Sequence, residues 1–311
     1  MRFEKRGLIF SPNKNDWWQQ LYAILPTPYF LCDLGIIRIF FATTCTNKFG
    51  RLAYIDVRAD NPNVIVGSSN GFILDIGKNG AFDDCGVNPS SIVKVGDFFY
   101  LYYAGYQRHV KTPYSILSGL AVSVNLETFE RYKNTPILER TDIELSLRSA
   151  PSVIKIDNYF FMVYVSDYGW HEVEGDLFKG RKMPLYCLKT AYSLNGIDWK
   201  AENKPIIYPI NDDEFGFGRP YLYKKGTTYY LFYSIRKKSI SYRIGYAISN
   251  DNCKTWQRVD MVEGLEVSSD GWDSEMICYG APLNVGEKTY LFYNGNNNGE
   301  TGFGYAELID F

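Results

Sequence analysis

The chain has 311 residues, 46% of them hydrophobic, enough for one large domain or two ordinary ones with a sizeable core. Its formal net charge is −2 with lysines and arginines dispersed, which argues against a nucleic-acid partner, because neutralising phosphates needs a concentrated basic face. Aromatics reach 17%, with 26 Tyr and 20 Phe, a bias toward strands and sugar- or base-stacking surfaces over helical bundles.

The N-terminus, Met1 to Phe10, carries charges but no apolar segment of signal-peptide length. No window approaches the roughly 20 apolar residues that span a bilayer. The six cysteines show no C-x-x-C pair and no metal-like spacing, so reduced thiols in a cytoplasmic protein are expected, with no metal and no cofactor. His109 and His171 are the only histidines. Both fall in expected loops and read as surface residues rather than proton shuttles.

In chain order, one pattern recurs five times: a proline opening a short apolar run, a turn, and a second, aromatic-rich strand. The opening prolines are Pro28, Pro89, Pro151, Pro220 and Pro282. The second strands are Ile37–Phe41, Phe98–Tyr103, Tyr159–Tyr164, Tyr229–Tyr233 and Tyr290–Tyr293. The turns carry Gly35, Gly96-Asp97, Asp157-Asn158, Gly226 and Gly286-Glu287, which is hairpin chemistry. A third strand with small residues near its centre follows in each copy, and an outer fourth is expected, for example Pro205–Tyr208. Four strands repeated five times predict an all-β fold, a single five-bladed β-propeller of four-stranded antiparallel blades, one domain over residues 1–311. The last copy runs out at Phe311, so the N-terminal segment around Leu8-Ile9-Phe10 is expected to close it and remove an exposed edge. The stretch from Tyr168 to Pro184, with Trp170 and His171, is expected to be a long loop.

In such a ring the first strand of each blade lines the axis, so residues at its start gather at one mouth. That collects Thr27; Asp83, Asp84 and Asn88; Arg148 and Ser149; Glu214 and Arg219; and Asp273, Ser274, Glu275 and Tyr279. Carboxylates and guanidinium groups converging on one funnel are the default site.

The five-fold pattern resembles the five-bladed propeller superfamily of glycoside hydrolase families 43, 32, 62, 68 and 130. The set Phe82-Asp83-Asp84-Cys85-Gly86-Val87, Arg219-Pro220, Tyr242–Ala247, Gly271-Trp272-Asp273-Ser274-Glu275-Met276 and Tyr293-Asn294-Gly295-Asn296 more narrowly resembles glycosidase-like proteins of bacterial surface-polysaccharide biosynthesis. There are departures. Family 43 enzymes resemble one another in an Asp before the first-blade proline, where Thr27 stands here, and in a Glu two residues before a later one. The matching positions, Val87, Ser149, Gly218 and Gly280, hold no acid. Hydrolysis would therefore use relocated carboxylates.

Glycosidic cleavage needs two opposed carboxyl groups. Asp84 and Glu275, with Asp273 beside the latter, are the candidate catalytic residues; Asp83 and Asp84 equally read as turn caps, and Asp273 or Glu275 as structural partners of an arginine. Arg148 and Arg219 suit a bidentate oxyanion or a salt bridge across the channel. Trp272, Asn88, Tyr279, Arg243 and Asn294 complete the candidate substrate-binding set. The expectation is a glycoside hydrolase-like enzyme acting on a glycoside or activated sugar in surface-polysaccharide metabolism. The alternatives are a non-catalytic module that binds a sugar, nucleotide-sugar or lipid-linked sugar beside a glycosyltransferase partner, or a phosphorylase or transglycosylase.

Overall fold

A computed structural model describes residues 1–13, 18–46, 48–172 and 182–310. These residues fold almost entirely as β-strands, in antiparallel groups of consecutive strands. The first group is β2 (Ala23–Leu31), β3 (Ile36–Thr44), β4 (Gly50–Arg58) and the short β5 (Ile65–Ser68). The second is β6 (Gly86–Val95), β7 (Phe98–Arg108), β8 (Tyr114–Ser123) and β9 (Glu130–Arg131). The third is β10 (Leu147–Ile156), β11 (Tyr159–Glu172), β12 (Lys182–Ser193) and β13 (Lys200–Ala201). The fourth is β14 (Glu214–Lys225), β15 (Thr228–Lys237), β16 (Arg243–Ser249) and β17 (Gln257–Arg258). The fifth is β18 (Cys278–Val285), β19 (Lys288–Asn294) and β20 (Phe303–Asp310), with β1 (Arg2–Phe10) antiparallel on β20 as its outer strand.

Two short parallel bridges, Gly50 to Gly86 and Leu147-Arg148 to Ile116-Leu117, join the first three groups into one twelve-stranded sheet. The leading strands pack in cyclic order: β2 beside β6, β6 beside β10, β10 beside β14, β14 beside β18, and β18 beside β2. This propeller-like arrangement sets the five leading strands around one axis. Serine side chains stitch neighbouring leading strands whose backbones do not pair. Ser91 donates to the Pro151 carbonyl (2.8 Å) and accepts from Val153 N, and Ser152 accepts from Leu222 N at 2.7 Å.

Three expectations need correction. Each leading strand carries a one-residue bulge, and register across it aligns Pro26 and Gly280, rather than Pro28 and Pro282, with Pro151 and Pro220. A shift of two leaves the alternation of strand faces unchanged, so the pattern alone does not reveal it. The stretch from Tyr168 is strand rather than loop as far as Glu172, with Trp170 paired to Pro184 and His171 to Met183; residues 173–181 lie outside the described part. The third outer strand begins earlier than expected, at Lys200–Ala201, because Asn195 Oδ1 accepts from the backbone N–H of Ile197 and Asp198 and turns the chain back at once. The expected Pro205–Tyr208 segment adds to the same edge of β12 through Ile206 N to Leu188 O (2.8 Å) and an antiparallel bridge of Ile207 to Leu188.

The core holds a recurrent polar device. At the bulge, the second strand of four groups carries a buried tyrosine whose hydroxyl donates to a buried or half-buried carboxylate, itself paired with a cation. These are Tyr103–Asp83–Arg131, Tyr164–Glu144–Lys189, Tyr233–Asp260–Arg258 and Tyr293–Asp273–Lys5. In the first group Phe41 takes the tyrosine's place. A carboxylate that loses water on folding is tolerated only when such partners replace it. Asp83→Asn strands Arg131 and should lower the unfolding free energy by about 3 kcal/mol in urea denaturation; a loss under about 1 kcal/mol would show that this device contributes little.

Candidate functional site

Backbone strain marks the mouth of the ring. Non-glycine residues seldom take positive φ, yet Leu25 (φ 61°), Ala150 (φ 48°), Arg219 (φ 39°) and Tyr279 (φ 59°) do so at equivalent bulges of β2, β10, β14 and β18. Such residues cost on the order of 1–3 kcal/mol each and persist only where their surroundings over-determine them. Asn294 Oδ1 accepts from Leu25 N (2.8 Å) and Ser234 Oγ accepts from Tyr279 N (2.8 Å). All four, together with Asn88 of β6, line one cavity of about 250 Å³, so every leading strand contributes a residue.

Arg219 spans the axis. Its Nη1 donates to the carbonyls of Tyr279 (2.8 Å) and Gly280 (3.3 Å), and its Nη2 to Pro26 O and Thr27 Oγ1, both at 2.9 Å. It is 2% exposed, and burial holds its guanidinium down to about 10, so it is still charged at neutral pH.

The rest of the wall is aromatic. Tyr114 and Tyr186 share a hydroxyl–hydroxyl hydrogen bond, Tyr242 meets Tyr279 edge-on with ring centroids 6.3 Å apart, and Tyr279 donates to Asn298 Oδ1 at 3.2 Å. Behind Tyr186 and Tyr242 lies Arg236, 5% exposed, its guanidinium 4.0 Å from the centre of the Tyr186 ring and 4.4 Å from that of Phe215. Burial pushes Tyr114 up to about 12 and Tyr186 and Tyr279 well above the ordinary phenol range, so these hydroxyls keep their protons at neutral pH. The described residues lining the cavity include no carboxylate, and no described cluster of His, Cys, Asp and Glu is arranged to hold a metal ion.

Of the residues singled out from sequence, the cavity brings together Asn88, Ser149, Arg219 and Tyr279. The others stand elsewhere. Asp273 is 2% exposed and held by Lys5 and Tyr293, and Arg148 is ion-paired to Glu144 at 3.0 Å. Asn294 is fully buried, its amide donating to Ala23 O and Gly302 O. Arg243 donates to the carbonyls of Ser241, Tyr242 and Glu275, and Trp272 stacks on Tyr293 at 5.0 Å beside a separate groove. Asp84, half-buried, accepts from Gly80 N at 2.9 Å in the turn before β6, and Glu275 is exposed in the turn before β18, its backbone N–H bound by Asn296. His109 contacts Ser115 Oγ at 2.8 Å, and His171 lies edge-on to Phe215.

Sequence reasoning passed over Tyr114, Tyr186, Tyr242, Asn298 and Arg236. The missing rule concerns strand direction. In an antiparallel group the third strand runs the same way as the first, so residues leading into or along its first half reach the same mouth. That applies to Tyr114 in β8, Tyr186 in β12 and Tyr242 just before β16.

No family model matches the chain. Over 308 residues it is 30% identical to Uncharacterized protein Rv1502 of Mycobacterium tuberculosis (strain ATCC 25618 / H37Rv), covering 99% of each. The chain belongs to the same family as that protein. The fold is shared much more widely. A glycosyl hydrolase from Bacteroides ovatus superposes with a TM-score of 0.71 at 16% identity, over 98% of this protein and 93% of the other. A thermostable family-43 glycoside hydrolase gives 0.65 at 16% identity, over 96% and 91%. The protein thus has the fold of the β-propeller glycosidase superfamily.

Arg219→Met leaves the carbonyls of Pro26, Tyr279 and Gly280 without their donor and should lower unfolding free energy by about 3 kcal/mol by chemical denaturation. An unchanged or higher stability would mean that burying the charge costs more than its four bonds return.

Proposed function

We propose that this chain is a carbohydrate-binding five-bladed β-propeller, one domain over residues 1–311, whose axial cavity seats a single sugar ring. The observation that carries the reading is the composition of the cavity wall: tyrosine rings and the amides of Asn88 and Asn298, with no carboxylate among the described lining residues. Apolar C–H faces of a sugar pack on aromatic rings, while its hydroxyls exchange hydrogen bonds with amides and phenols. At about 250 Å³ the cavity falls just below the roughly 300–1,000 Å³ of drug-sized ligand sites, which suits one ring rather than a chain. The names of the fold neighbours, a glycosyl hydrolase among them, support carbohydrate as the ligand class.

Cleavage of a glycoside calls for two carboxyl groups set about 5–9.5 Å apart across the bond. The cavity offers phenols that keep their protons at neutral pH and a buried guanidinium, which bind and orient but do not exchange a proton with a leaving group. Binding without hydrolysis is therefore the role we favour, beside a glycosyltransferase of surface-polysaccharide assembly in the cytoplasm. A second reading, hydrolysis by Asp84 and Glu275, draws on the exposed Glu275 carboxylate in the turn that leads into β18.

Calorimetric titration with a panel of monosaccharides, alongside a reducing-sugar assay on oligosaccharides, separates the two. Wild type should bind at least one sugar and release no reducing ends, and Tyr279→Ala should weaken binding about tenfold or more. Turnover by wild type that disappears in Glu275→Gln would replace binding with the second reading.

A further inference from the structure

Four arginines are buried in the described structure: Arg38, Arg148, Arg219 and Arg236. Two have carboxylate partners, Asp56 at 2.7 Å from Arg38 and Glu144 at 3.0 Å from Arg148. Of the other two, Arg219 lines the axial cavity and Arg236 stands behind its Tyr186 wall, and neither forms an ion pair with a described residue. Arg219 places four of its five N–H groups on carbonyls and a hydroxyl, and its Nε is buried without a partner. Arg236 donates from Nη1 to Pro184 O (3.3 Å), lies on the Tyr186 and Phe215 rings, and its Nε is likewise unpartnered. The groups that act electrostatically on the two are phenols and a thiol, Tyr221, Tyr279 and Cys278 for Arg219 and Tyr242, Tyr186 and Tyr114 for Arg236.

A buried cation normally has a counter-charge, because desolvation is costly and neutral dipoles compensate it only in part. Here two positive charges flank one cavity, and carboxylates are missing from its described lining. An oxyanion entering that space gains attraction in a low-dielectric setting where water screens little, and it meets no negative group among the described lining residues to repel it. Guanidinium groups suit such a ligand because they stay charged and present directed N–H donors.

We infer that the axial cavity selects a sugar bearing an oxyanion, either the carboxylate of a uronic acid or the phosphate of a sugar phosphate, set against Arg219 and drawn also by the charge of Arg236 behind the Tyr186 wall. This inference rests on the sugar-binding reading and narrows it to acidic ligands. The anion provides the counter-charge that the described residues do not supply, while the tyrosines and Asn88 hold the ring. A neutral sugar enters the same space without that gain.

The test is calorimetric titration of the full chain with D-glucose, D-glucuronic acid, glucose 1-phosphate and inorganic phosphate in one buffer. At least one of the acidic sugars should bind about tenfold more tightly than glucose, the effect of one charge-assisted contact. Whichever acidic sugar binds more tightly names the oxyanion. Arg236→Gln should erase most of that preference; if the variant does not fold, the wild-type comparison still decides. Equal affinity for glucose and both acidic sugars overturns the anion inference and leaves sugar binding standing. Inorganic phosphate bound with no sugar bound keeps the anion site and overturns the sugar reading. No binding by any of the four overturns both.

Discussion

One guanidinium holds the centre of this molecule. Arg219 stands at the bulge of β14 and reaches across the axis to carbonyls of β18 and β2, joining three leading strands that share no backbone ladder. The leading strand of each group has its second strand on one side only, so its inner edge needs other partners. Arg219 supplies them on one side of the ring, and Ser91 and Ser152 supply them on the other. Removing water from a guanidinium is costly, and with no described carboxylate beside it the compensation comes from four hydrogen bonds to carbonyls and a hydroxyl.

The same bulges join architecture to chemistry. A one-residue insertion re-aims the side chains that follow it. Repeated around the ring, it turns Leu25, Ala150, Arg219 and Tyr279 toward a common space. The carboxylates went elsewhere. Asp83, Glu144, Asp260 and Asp273 each sit against a tyrosine of the second strand and a cation, where they brace their groups and do not face the cavity. A fold found among glycosidases is here built around a cavity of phenols, amides and guanidinium.

Much of the fold was legible because it repeats. The hairpin turns and the aromatic second strands stand where the repeats place them, and β1 pairs with β20 as expected. The site was less legible, for two physical reasons. Strand periodicity tells which face a residue takes but does not locate a bulge, so Pro28 and Pro282 stand two positions away from the structural equivalents of Pro151 and Pro220. Residue type, moreover, does not say whether a polar group is already engaged. Asn294 has the composition of a ligand contact, yet its amide is fully used on Leu25, Ala23 and Gly302. Asp273 likewise is committed to Lys5 and Tyr293. Arg219, expected to face either a ligand or an acid, lines the cavity with no described acid beside it, holds backbone carbonyls and keeps one N–H unengaged.

The most direct measurement is a crystal structure of the full chain soaked with a monosaccharide mixture. The ring should lie in the axial cavity, within van der Waals distance of Tyr279 and hydrogen-bonded to Asn88. A sugar seated against Glu275 and Trp272, with none in the axial cavity, would contradict the assignment of that cavity as the ligand site.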